Sequence, residues 1–185
     1  MFKKVEGKIL VLSDIHYPHC NEKLITHITR AENPDLLVLL GDIVTELNSG
    51  YRTFLDSLSA NEVVYVKGDG DVLEGDTEVL EVENNKKKFL FFHGHQVLKE
   101  RTQYSLAKTL KKLNYYLPPL GFCVLARVVK ADFSRYIILG HSHALVYFHG
   151  IRCANAGTMS SVENLYNDRG YIRIVDGKIE IIRIS

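Results

Sequence analysis

Short apolar runs alternate with polar turns along this chain, and five of the runs end on an acid or a histidine. They are Ile9–Leu12, Leu36–Leu40, Val63–Val66, Phe89–Phe92 and Tyr136–Leu139. Continuous apolar runs of this length read as strands buried on both faces. After the first, Leu24, Ile25 and Ile28 recur at helical spacing behind Asn21, a candidate N-cap. Asn33-Pro34 ends that helix, because a residue before proline avoids the helical region. Tyr51, Phe54, Leu55 and Leu58 mark a second short helix within 50–59. Strand, helix, strand, helix, strand predicts parallel pairing in the first half. The second half predicts a meander of antiparallel strands: 78–83 with 88–92, 146–149 with 151–154, and 171–175 with 178–184. The last pair flanks Asp176-Gly177, a hairpin-turn signal. The chain therefore reads as α/β, with mixed α+β character: two sheets packed face to face and helices outside.

The polar strand ends are Asp14-Ile-His16, Gly41-Asp42, Gly68-Asp-Gly-Asp71, His93-Gly-His95 and Gly140-His-Ser-His143. In open α/β sheets ligands gather at the carboxyl ends of strands. Carboxylates and imidazoles together suit divalent first-row metals. One such ending is unremarkable, since an acid after a strand often caps a turn. Five in order point to a site that collects ligands across the fold.

This ordered set resembles the calcineurin-like metallophosphoesterases, whose pattern runs D-x-H, G-D, G-N-x-D, an isolated H, then G-H-x-H. The resemblance covers residues 9 to about 158. It is nearest to the small archaeal and bacterial phosphodiesterases and to the retromer subunit of the same fold. It implies a four-layer αββα sandwich formed as one domain, 1–185. It also implies two divalent ions, manganese first, with iron, nickel, zinc or magnesium as alternatives. One ion falls to Asp14, His16, Asp42 and His143. The other falls to Asp42, Asp69, His93 and His141, so that Asp42 bridges. Asp42, Asp69 and His141 bear most directly on catalysis. The implied activity is phosphodiester hydrolysis, with a hydroxide bridging the metals as nucleophile. The substrate would be a phosphate ester or a nucleotide-like molecule. The alternative is a scaffold of this fold that binds a protein partner. Two departures stand out. Asp69 replaces the family's asparagine, and Gly70 stands where much of the superfamily has a histidine near the leaving group. The same reading makes Asp71 and Asn155 braces of the site loops and His95 a neighbour of the ligands. His19, His27 and His149 become surface or turn residues.

Composition narrows the setting. Net charge is +1, so no global field points to nucleic acid or to a membrane, and no membrane partner is expected, although a nucleic-acid ligand is not excluded. No run approaches the ~18 apolar residues of a membrane span. Three cysteines, Cys20, Cys123 and Cys153, are odd in number and form no C-x-x-C. That predicts free thiols and a reducing, cytoplasmic setting. Residues 99–130 are the unusual segment: seven basic residues and one acid, a net of +6. Leu106, Leu110 and Leu113 predict a helix there, followed by an apolar stretch, 115–126, of core, lid or homodimer contact. Lying between the His93 and His141 loops, the segment is expected beside the mouth of the site. Its lysines and Tyr104, Tyr115 and Tyr116 would meet the substrate there.

Overall fold

The apolar runs become the inner strands of two sheets in the computed structural model. Residues 1–95, 100–130 and 133–184 are described, with backbone only over 100–106. The strands are β1 (Phe2–Lys4), β2 (Ile9–Leu12), β3 (Leu36–Leu40), β4 (Glu62–Val66), β5 (Leu80–Asn84), β6 (Lys87–Phe92), β7 (Tyr136–Leu139), β8 (Leu145–Phe148), β9 (Cys153–Ala156), β10 (Gly170–Val175) and β11 (Lys178–Arg183). The helices are α1 (Glu22–Glu32), α2 (Tyr51–Asp56), α3 (Glu100–Leu113) and α4 (Leu117–Lys130).

One sheet has the order β11-β10-β2-β3-β4, the other β1-β5-β6-β7-β9-β8. In the first, β2, β3 and β4 are parallel, with Ile9 opposite Leu36 and Leu36 opposite Glu62. In the second, β5 and β6 form the expected hairpin, but β6, β7 and β9 run parallel. The second half is thus no simple meander. Its chain leaves β6, crosses over through α3 and α4, and returns as β7, as a parallel neighbour requires. β1, absent from the sequence reading, pairs in parallel with β5 through Phe2–Lys4.

The inner faces meet in one apolar layer: Ile9, Val11, Val38 and Val64 from one sheet face Val82, Phe89, Phe91 and Ile138 from the other. Outside, α1 and α2 set Ile25, Ile28 and Phe54 against Leu10, Leu37 and Leu39. On the opposite side α4 sets Cys123 and Ala126 against Leu90, Phe92 and Ile137. This is the expected helix–sheet–sheet–helix order.

The helix ends follow their local chemistry. Asn21 Oδ1 accepts from Leu24 N at 3.1 Å, and Asn33, in the left-handed region, closes α1 by donating to Thr29 O. α4 begins on Leu117-Pro118-Pro119, where proline costs no intrahelical hydrogen bond. Cys123 and Cys153 form a disulfide joining α4 to β9, which corrects the expectation of three free thiols. Only Cys20 is a free thiol, its pKa pushed up to about 12 by burial and by Glu22. No described helix is long and apolar enough to cross a membrane.

Candidate metal centre

The carboxyl ends of the parallel strands β2, β3 and β4 in one sheet and β6 and β7 in the other converge. Each loop there turns abruptly. Asp14, His16, Asp42, His141 and His143 all have φ between 50° and 63°. Non-glycine residues rarely hold this left-handed backbone, which is concentrated at functional sites. Main-chain bonds between loops maintain it: Asp14 N donates to Gly41 O at 3.1 Å, His16 N to Asp42 O at 2.8 Å, and Gly140 N to His93 O at 3.1 Å. Gly41, at φ +74°, permits the close approach, since a Cβ there would lie 2.3 Å from the His93 ring.

Among the described residues, two donor groups result. Asp14, His16 and His143 form one; Asp42, Asp69, His93 and His141 form the other. Within each, the donor atoms lie within 4.8 Å of one another. Asp42 joins them: its Oδ2 lies 3.9 Å from His16 Nε2 and its Oδ1 3.4 Å from His93 Nε2. Asp14 Oδ1 is 3.3 Å from His143 Nε2 and 4.0 Å from His16 Nε2. Asp69 Oδ1 faces three imidazoles: His141 Nδ1 at 3.3 Å, His93 Nε2 at 3.4 Å and His95 Nδ1 at 3.7 Å. All seven sequence-predicted ligands therefore come together. Asp14, His93 and His143 form the buried floor; His16, His141 and Asp69 face the opening.

The outer contacts aim these groups. Asp14 Oδ2 takes the Ser13 hydroxyl and His141 N, leaving Oδ1 for the site. His93 Nδ1 lies 3.0 Å from Leu40 O, which accepts its proton and turns Nε2 toward Asp42 and Asp69. Asp71 braces, as expected. Its Oδ1 accepts from Ile43 N at 2.7 Å, Val44 N at 3.0 Å and the Tyr65 hydroxyl, and its Oδ2 from Asp42 N at 2.9 Å and Gly68 N at 2.7 Å. Asn155 also braces: Oδ1 accepts from Ser142 Oγ at 2.9 Å, and Nδ2 reaches Pro119 O. His19 pairs with Glu46 at the surface, and His27 and His149 are exposed.

The electrostatics are those of a site short of positive charge. Burial alone would raise the Asp42 carboxyl, but His93 and the Gly70 amide outweigh it and lower its pKa to about 2. Burial likewise opposes ionisation of Asp69, and His141 and His93 overcome it. His93 shows the converse: burial favours the neutral ring, yet Asp14, Asp42 and Asp69 hold it protonated well above its ordinary range. The three carboxylates thus favour positive charge at this point, where a cation would belong. Among the described residues, Asp14 Oδ1, His16 Nε2, His93 Nε2 and His143 Nδ1 are buried without a hydrogen-bond partner. Buried polar atoms are rarely left so. These orphaned atoms and the carboxylate–imidazole set fit divalent metal ions.

The wall of the site holds residues that the sequence reading passed over. Asn164 Nδ2 lies 3.2 Å from His143 Nε2, and its loop is clasped from the helical segment. There Lys111 Nζ donates to Leu165 O, Tyr166 OH donates to Tyr115 O at 2.7 Å, and Tyr115 OH to Asp168 Oδ1 at 2.7 Å. Lys111 also lies over the Tyr166 and Tyr115 rings. No motif flags Asn164; only the three-dimensional path of the 162–168 loop brings it in. Phe122 lines a small crevice with Gly94, His141 and Asn155, so α4 does border the site. Arg127 departs from expectation: it is buried and donates to the carbonyls of Ile151, Arg135 and Arg152. Lys99 and the side chains of Arg101, Tyr104 and Leu106 lie outside the described residues.

Residues 8–168 match the profile of the calcineurin-like phosphoesterase superfamily domain. The chain belongs to that superfamily. No curated protein sequence matches it. Among solved structures it is similar to an archaeal phosphodiesterase, with 18% identity, TM-score 0.61, and coverage of 96% of this chain and 99% of the other. Vps29 of Entamoeba histolytica in complex with zinc is similar at 18% identity, TM-score 0.60, and coverage of 96% and 98%. A predicted phosphoesterase of Streptococcus pneumoniae is similar at 17% identity, TM-score 0.50, and coverage of 97% and 99%. At these identities the likeness concerns the fold.

Proposed function

We propose that this phosphoesterase-superfamily protein is a dinuclear metal-dependent phosphodiesterase. The observation that carries this reading is the pair of donor groups meeting at Asp42, with buried nitrogen and oxygen atoms that have no hydrogen-bond partner among the described residues. Asp14, His16, Asp42 and His143 would hold one ion; Asp42, Asp69, His93 and His141 would hold the other. We assign manganese first, with iron, nickel, zinc or magnesium as alternatives. Two such ions lower the pKa of water and offset charge on phosphoryl oxygens.

The chain's own groups bind, aim and exclude. The buried floor of Asp14, His93 and His143 excludes bulk water, while His16, His141 and Asp69 face the opening where a phosphate ester enters. Gly70 contributes its main-chain amide, donating to Asp42 Oδ1 at 2.8 Å, and no acid for the leaving group. Esters of acidic alcohols should therefore react best. The helical segment 99–130 belongs to the same unit as an insert at the rim, while the Cys123–Cys153 disulfide removes the free-thiol argument for a reducing, cytoplasmic setting. The archaeal phosphodiesterase among the similar structures supports the diester assignment.

A second reading, a scaffold that recruits a protein partner, is favoured by Asp69, whose charge places three carboxylates where the family pattern has two. Vps29 of Chaetomium thermophilum, similar in fold with a TM-score of 0.51, is in complex with a cyclic peptide, which supports it. Metal analysis of the purified protein, then a chromogenic diester with added Mn²⁺, separates the two. Two metals per chain with turnover supports the enzyme. Two metals without turnover on any diester, nucleotide diesters included, supports the scaffold.

A further inference from the structure

Asn164 stands on an exposed loop, yet its side chain is held in one direction. Its main-chain N donates to Asn167 Oδ1 at 2.8 Å, and its own Oδ1 accepts from Leu165 N at 2.6 Å. A main-chain donor on the oxygen fixes which way round the amide lies. Nδ2 is therefore the end turned to the metal centre, 3.2 Å from His143 Nε2.

The loop that carries it is fixed from two sides. Asp168 N donates to His143 O at 3.2 Å, and Asp168 Oδ2 accepts from Leu145 N at 3.0 Å. These bonds tie the loop to the turn that carries the ligand itself. From the helical insert, Lys111 Nζ holds Leu165 O and Tyr115 OH holds Asp168 Oδ1 at 2.7 Å. Tyr166, between them, is buried. The placement of Asn164 against His143 is thus set by the fold and not by a loose tip.

His143 Nε2 also faces Asp14 Oδ1, at 3.3 Å, within the Asp14, His16 and His143 group. A neutral imidazole nitrogen has one lone pair to give. It cannot serve both an ion held by that group and the Asn164 amide. With the lone pair given to an ion, both hydrogens of Asn164 Nδ2 would lack a partner beside the opening. We infer that Asn164 is a substrate-binding residue, its amide donating to a non-bridging phosphoryl oxygen of the ester. Phosphoryl oxygens only accept, and across the opening the Asp69 carboxylate offers only acceptors in return. An amide supplies the missing donor without titrating and without adding charge. Its other use, as a further ligand through Oδ1, is closed because that oxygen is turned to Leu165 N. The inference rests on the reading of the centre as a metal-dependent phosphoesterase site.

The test is calorimetric titration of inorganic phosphate into the full chain loaded with Mn²⁺, for the parent, Asn164→Ala and Asn164→Asp. Metal content is measured on the same samples. Aspartate keeps an oxygen for Leu165 N but cannot donate, so it separates a donor from a loop brace. Expected is phosphate binding about tenfold weaker in Asn164→Ala, the loss of one hydrogen bond to a charged acceptor. Binding should be weaker still in Asn164→Asp, with metal content unchanged in Asn164→Ala. Unchanged phosphate affinity in both variants overturns the inference. So does affinity restored by aspartate, which would make Asn164 a brace. Metal lost together with phosphate in Asn164→Ala would assign the residue to holding His143, and overturns it as well. A parent that takes up no metal, or binds no phosphate when loaded, overturns the phosphoesterase reading and this inference together; the three preceding outcomes overturn this inference alone.

Discussion

Replacing Asp71 by asparagine should damage this protein more than its partial exposure suggests. Its two oxygens together accept from four main-chain amides, those of Asp42, Ile43, Val44 and Gly68, and from the Tyr65 hydroxyl. An amide group in place of either oxygen points hydrogens at amide hydrogens, so at least two bonds fail and two donors lose their acceptor. Each hydrogen bond to a charged acceptor is worth ~1.5–3 kcal/mol, and each stranded donor costs ~1–3. A loss of ~3–6 kcal/mol follows, or ~10 °C in melting temperature for a chain of this size. Urea unfolding in chelator isolates the effect from metal binding. Tyr65→Phe, which removes the hydroxyl's bond to Asp71 and its acceptance from Val44 N at 3.2 Å, should cost less, ~1.5–3 kcal/mol. A loss under ~1 kcal/mol for Asp71→Asn, typical of a surface substitution, would refute the bracing role.

Asp42→Ala should remove most bound metal and all diesterase activity, by metal analysis and chromogenic assay; two metals retained per chain would show that Asp42 does not bridge. Asp69→Asn removes one negative charge facing three imidazoles. It should weaken metal retention in chelator competition yet leave turnover equal or higher in saturating Mn²⁺, and a clear fall would show adaptation to the carboxylate. Arg127→Met takes the donor from the carbonyls of Ile151, Arg135 and Arg152, of which Arg152 O keeps Ile137 N, and should cost ~2–4 kcal/mol in thermal unfolding, whereas Lys108→Ser should be neutral. Lys111→Ser unclasps the 162–168 loop. It should raise the Michaelis constant for a diester as much as the triple change of Lys108, Lys111 and Lys112 does, and a larger effect of the triple would return the outer lysines to substrate binding.

The inner strands were legible because each is an unbroken apolar run, the signature of burial on both faces. That seven acids and histidines gather in the candidate metal centre was legible because strand ends are where such sheets place ligands, and so was the Asn21 cap. The unread parts have physical causes. β1 is three residues, two of them lysines, and carries no period. The parallel crossing from β6 to β7 was hidden because 146–154 and 170–184 look like hairpins and bias the eye toward a meander. The apolar stretch 115–126 was not read as a helix; its double proline falls in the first turn of α4, where the missing amides cost nothing. Cysteine pairing is not written in spacing: Cys123 and Cys153 are 30 residues apart and meet only because α4 packs on β9. Arg127 counted as surface charge until its carbonyl partners, on three separate residues, were in place.

The left-handed backbone at Asp14, His16, Asp42, His141 and His143 also sets how fast metals come and go. Main-chain bonds between loops hold these residues in place. A metal ion would then load with little ordering of chain. Uptake after chelation should be a single rapid step with an unchanged circular dichroism spectrum, and stability should rise with free metal only by mass action. The same backbone constrains evolutionary change. Asparagine, aspartate and histidine tolerate this conformation, so ligands can be exchanged among themselves. Valine, isoleucine or threonine at any of the five would have to distort the loop before altering the chemistry.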